Sequence, residues 1–86
     1  MKRYMLATKA THLIGDVSRE EPDLCLIQSE DADSYIGHWV TGFALLDVHF
    51  PKATTRPLTP EEKERWQGTQ IMYPHGITKT INLELE

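Results

Sequence analysis

Residues 35–51, YIGHWVTGFALLDVHFP, form the densest apolar stretch in the chain, and their reading decides the fold. Taken as a β-hairpin, the stretch turns at Thr41 and Gly42, with Gly42 supplying the positive φ that a tight turn needs. The simplest register pairs Val40 with Phe43, His38 with Leu45 and Ile36 with Asp47. Because side chains alternate along a strand, one face then carries Tyr35, Gly37 and Trp39 against Ala44, Leu46, Val48 and Phe50. In this arrangement Gly37 leaves room for Leu46. The opposite face carries Ile36, His38, Val40, Phe43, Leu45, Asp47 and His49.

That second face is greasy at its turn end, whereas a sheet in a small protein ordinarily has one wet face. Something must cover it: the chain's own helix or a curled strand, or another molecule. Ile36, His38, Val40, Phe43 and Leu45 are therefore the candidate interaction face, for a protein partner or for a second copy of the chain. His38, Asp47 and His49 share the same face, with His38 diagonal to Asp47 at about 7–8 Å. Three such groups suit zinc, which defines an alternative reading as a metal-assisted hydrolase. Histidine is also common as an ordinary half-exposed residue, and the spacing matches no H-x-H, H-E-x-x-H or paired-cysteine pattern.

Around the hairpin the chain reads as short strands broken by turn chemistry. RYMLA (3–7), THLIGDV (11–17) and LCLIQ (24–28) are predicted strands, with Gly15 marking a bulge. SREEPD (18–23) and SEDADS (29–34) are predicted turns, since Pro22 cannot continue a ladder. The runs recur at intervals of roughly 10–12 residues, a spacing typical of small barrels and sandwiches. One helix is signalled: Thr59 caps, Pro60 takes the first position, Glu62 completes a capping box and Gly68 stops it. Glu61 and Arg65 are spaced for a favourable pair, and Trp66 is the one large apolar residue available to pin the helix down. In GITKTINLELE (76–86), Ile77, Ile81, Leu83 and Leu85 alternate with polar residues, and Lys79 guards the edge.

Composition narrows the possibilities further. The 86 residues, 40% hydrophobic and 26% charged, describe a single globular domain spanning 1–86. Cys25 is the only cysteine, so no internal disulfide forms and a reducing, cytoplasmic setting is expected. The apolar run near the start is shorter than the roughly 7–15 residues of a signal sequence. No run approaches the roughly 18 apolar residues of a membrane span, so no membrane partner is expected. Residues 16–33 hold seven acids against Arg19 alone, which reads as solvated loops or as an acidic patch for a basic partner. Basic residues do not cluster with interleaved aromatics, which disfavours a third reading, the nucleic-acid-binding barrel. No phosphate loop, calcium loop or nucleophile elbow is present, and no cofactor is expected. Cys25, between Leu24 and Leu26, reads as a small buried hydrophobe rather than a nucleophile.

YIGHWVTGFALLDVHFPKATTRPLT (35–59) resembles a stretch found in short uncharacterised proteins of phage and prophage type. The resemblance implies a mobile-element accessory protein and assigns no activity and no functional residue. The expectation is thus a β-rich α+β domain: a small antiparallel barrel or curled sheet, SH3-like, of about five to six strands with one short helix near 60–67. The function expected of it is non-enzymatic binding.

Overall fold

The computed structural model describes residues 3–13, 15–40, 47–72, 76 and 78–83. Four antiparallel strands close into a ring: β1 (Arg3–His12), β2 (Gly15–Glu30), β3 (Ser34–Trp39) and β4 (Val48–Pro51). β1 pairs with β2 along its length, and Thr11 opposite His49 joins β1 to β4 and shuts the ring. β5 (Thr55–Arg56) adds to β1 beyond β4, opposite Leu6 and Ala7. The helix α1 (Pro60–Trp66) follows, and β6 (Gln70–Met72) and β7 (Thr78–Thr80) form a separate two-stranded ribbon. The expected small antiparallel barrel with one short helix is the architecture observed.

Three element assignments differ from the expectation, the first being GITKTINLELE, read as one edge strand, of which only Thr78–Thr80 is strand among the described residues while Ile81, Asn82 and Leu83 are not. THLIGDV is not a strand of its own: β1 runs on through His12, the chain reverses, and Gly15 pairs with His12 at a φ of 128°. Leu13 sits fully exposed at that apex. SREEPD is not a turn between strands but an irregularity inside the long β2. Ala7 pairs with Asp23 and Lys9 with Ser18, so residues 19–22, including Pro22, have no register partner on β1.

The apolar runs are explained by two cores, one on each side of the same strands. Met5, Ala7, Cys25, Ile27, Trp39, Val48 and Phe50 point into the barrel. Their immediate neighbours Leu6, Leu24, Leu26 and Val40 point outward and are covered by Leu58, Ile81 and Leu83, with Trp66 and Ile71 packed alongside. LCLI is therefore apolar throughout because both of its faces are buried. Inside, the rings of Trp39 and Phe50 meet edge to face, 5.0 Å apart at 87°, a favoured aromatic geometry. Burial pushes the Cys25 thiol up to about 12, despite its contact with the Met5 carbonyl, which fits the structural reading of that residue.

Cations close both ends of the barrel. The Arg19 guanidinium lies 4.0 Å from the centre of the Trp39 ring and is ion-paired with Asp23. At the other end Arg3 and Lys52 sit 5.0 and 5.2 Å from the Tyr35 ring centre. Trp39 Nε1 donates to His12 Nε2 at 3.1 Å, so a neutral His12 carries its proton on Nδ1, which is buried without a partner.

The helix forms as its sequence dictates. Thr59 Oγ1 accepts from the Glu62 N–H at 3.3 Å while the Glu62 carboxylate accepts from the Thr59 N–H at 2.9 Å. Glu62 also takes two hydrogen bonds from Arg56, at 2.7 and 2.9 Å. The expected Glu61–Arg65 ion pair is not among those of the described residues. The Arg56 guanidinium, aided by the Thr59 N–H, holds the Glu62 carboxyl down at about 2. A group so depressed stabilises the fold above its unfolded value and loses that contribution as pH falls toward the folded one. Glu62→Gln is therefore expected to lower the melting temperature at pH 7 but scarcely at pH 2. Paired thermal melts check this, and an equal loss at both pH values would show that the charge is irrelevant.

Candidate functional site

The hairpin register observed is two residues away from the simplest one. Ile36 lies opposite His49 and Gly37 opposite Val48, rather than Ile36 opposite Asp47. An even shift preserves the faces, so Tyr35, Trp39, Val48 and Phe50 still face inward. Residues 41–46, and with them the Thr41–Gly42 turn, lie outside the described residues.

The candidate interaction face divides when placed on this frame. Val40 is 3% exposed and belongs to the outer core, with its N–H donating to the Leu24 carbonyl at 3.0 Å. That is a correction: the helix and the C-terminal segment cover Val40, so it is not presented to a partner. Ile36 and His38 are half-buried. Phe43 and Leu45 lie outside the described residues.

The three residues of the hydrolase reading are not brought together. His38 Nδ1 is 3.0 Å from the Trp39 carbonyl and donates to it. Asp47 leaves the strand path with a φ of 57°. His49 is exposed opposite Ile36 and beside Thr11. Among the described residues no group of three or more His, Cys, Asp or Glu side chains is placed to hold a metal ion.

A larger recess than those beside Gln67 and Leu83 or beside Lys9 and Asp16, among the described residues, lies elsewhere, on the outside of the barrel between the irregular part of β2 and α1. It is a groove of about 630 Å³. Its β2 wall carries Glu21, Pro22 and Asp23; its far wall carries Arg56, Glu62 and Arg65; Leu6 and Trp66 lie at its base. The short capped helix fixes the far wall, because Arg56 grips Glu62 and Trp66 anchors the last turn in the outer core. Pro22 fixes the near wall by interrupting the ladder.

Most of the groove's charge is already spent. Arg56 and Glu62 satisfy one another, and Asp23 is held by Arg19 and by the Leu24 N–H at 2.8 Å. Glu21 and Arg65, both exposed and on opposite walls, have no ion pair among the described residues. Sequence reasoning missed this constellation because Leu6, Glu21, Arg56 and Trp66 are far apart in the chain. The local traces were a proline in an acidic run and a lone tryptophan on a two-turn helix.

A second charged cluster surrounds Tyr35, where Lys52 pairs with Glu30 at 2.7 Å. The Lys52 ammonium holds the Glu30 carboxyl below its usual range, and Asp31 is lowered chiefly by N–H groups of Asp33 and Ser34. This cluster brings two cations to one aromatic ring, which the spread of bases in the sequence does not suggest, but acids meet them there.

The structure is thus a small closed antiparallel barrel, backed by one helix, with a groove on its outer surface. Comparison with family models, with curated proteins and with solved structures returned no match. No helix among the described residues is long and apolar enough to cross a membrane.

Proposed function

We propose that this chain is a small non-enzymatic binding protein of the cytoplasm that acts through protein–protein contacts. The observation that carries the reading is the groove between β2 and α1. An indole and a leucine at its base and a proline on one wall, rimmed by charges of both signs, match the anatomy of a protein interface. Tryptophan and arginine are also the residues that most often dominate binding energy at such surfaces. Ile36 and His38, half-buried on β3, remain candidates for a second contact, including one with another copy of the chain.

Affinity capture from the cells of origin, quantified by mass spectrometry, tests the reading. The wild-type chain is expected to retain a small set of proteins that an Arg65→Glu, Ile36→Lys double variant loses. Identical retention by both, or by bare resin, would remove the protein-binding function. Light scattering on the purified chain decides the homodimer: a mass near 9.9 kDa excludes it.

A further inference from the structure

We propose that the groove binds an extended peptide segment of a partner protein, presenting one large apolar side chain between a basic and an acidic residue. This rests on the protein-binding reading and adds the chemistry of the partner.

The first argument is charge. With Arg56 bound to Glu62 and Asp23 bound to Arg19, the groove's Glu21 carboxylate and Arg65 guanidinium are its charged groups without an ion pair among the described residues. They stand on opposite walls, so a ligand that satisfies both must carry a cation on one side and an anion on the other. Complementary charges of this kind set the direction and identity of a partner more than its raw affinity.

The second argument is what lies between them. Pro22 is exposed and Trp66 half-buried, so an apolar side chain entering the groove meets a pyrrolidine and an indole. The volume of about 630 Å³ falls within the range of roughly 300–1,000 Å³ that binding pockets occupy. A large aliphatic or aromatic residue fits there with its flanking backbone.

The third argument selects a peptide over a compact molecule. Residues 19–22 of β2 have no register partner on β1, and β2 pairs with β3 only from Cys25 onward. Glu21 and Pro22 of the near wall therefore lie on backbone outside both ladders, where an extended segment can add by main-chain hydrogen bonds. Pro22 contributes no N–H, which confines such pairing to the residues before it.

The test pans a phage-displayed random dodecapeptide library on the full chain, then titrates the enriched peptides by calorimetry. Glu21→Lys and Arg65→Glu are the variants, since both positions are exposed and the fold does not depend on them. Enriched peptides are expected to share an apolar residue flanked by Lys or Arg on one side and Asp or Glu on the other. Each single variant should weaken binding at least tenfold, and a peptide with its two charges exchanged should recover it on the double variant. Peptides that bind both variants as tightly as wild type overturn the groove while leaving a protein-binding chain that uses another face. Enrichment of no peptide also overturns the groove, and the broader reading falls only if affinity capture returns nothing as well.

Discussion

Val40→Arg is expected to leave no cooperatively folded protein. Val40 is 3% exposed and packs with Leu6, Leu24, Leu26, Leu58, Ile81 and Leu83. No carboxylate belongs to that cluster, so the guanidinium would be buried without a partner, at several kcal/mol. The extra volume adds about 1–3 kcal/mol of overpacking. Domains of this size hold roughly 4–13 kcal/mol in total, at about 0.05–0.15 kcal/mol per residue. The two costs together consume most or all of it. Far-ultraviolet circular dichroism and a thermal melt read the outcome. A folded Val40→Arg variant that had merely lost an oligomeric contact would restore Val40 to an interaction face. Ile36→Arg is the matched control: Ile36 lies on the same outward side of β3 but is only half-buried, so its variant should fold.

The comparison of Val40 with Ile36 shows where sequence reasoning succeeds and stops. The alternation of residues 35–40 identifies which side chains share a face, and an error of two in register leaves that unchanged. What covers each face is a long-range matter. The outer side of Val40 is roofed by Leu58, Ile81 and Leu83, which lie 18 or more positions away and give no local sign of doing so. LCLI is read correctly as a strand from its apolar run, but which residues cover its two faces is equally long-range. The same gap explains THLIGDV, whose apolar Leu13 and Ile14 imitate a strand interior although Leu13 occupies a hairpin apex.

Local chemistry fared differently. Thr59, Pro60, Glu62 and Gly68 specify their helix within ten residues, and each does in the structure what its type implies. The groove lies at the other extreme. Its walls are built by a proline that interrupts β2 and by a helix that follows β5, and they are brought side by side by the pairing of β2 and β5 with β1, where Leu6 lies opposite both Leu24 and Arg56. Of the charges there, the Arg56–Glu62 pair, six residues apart, is nearly local and bidentate, at 2.7 and 2.9 Å. Fork-to-fork pairing of this kind is the stronger form, and it engages neither Glu61 nor Arg65, whose expected pair is not among those of the described residues.

The second large effect is expected at Gly37, and it separates two explanations for one residue. In the simple register Gly37 is small to admit the side chain of Leu46. In the structure the constraint is backbone: a Cβ built at Gly37 would lie 1.9 Å from the Leu26 carbonyl oxygen, 2.9 Å from its carbon and 3.0 Å from the Ile27 Cα. No rotamer change relieves a clash with main chain, so the β2–β3 ladder around Ile27 opposite Gly37 must open. That ladder carries Cys25 and Ile27 on the inner core and Leu26 on the outer, so both cores are disturbed together. Gly37→Ala is expected to cost about 3 kcal/mol or more, the upper end of the overpacking range. For a domain this small that corresponds to a fall of roughly 12–24 °C in melting temperature. Gly68→Ala provides the scale, because at a φ of 79° with nothing within 4 Å it meets only conformational strain, and it should lose much less. The decisive measurement is the double variant Gly37→Ala, Leu46→Ala. If Leu46 were the neighbour that matters, trimming it would recover the stability lost at Gly37. With the Leu26 carbonyl as the obstacle, the double variant melts no higher than Gly37→Ala alone.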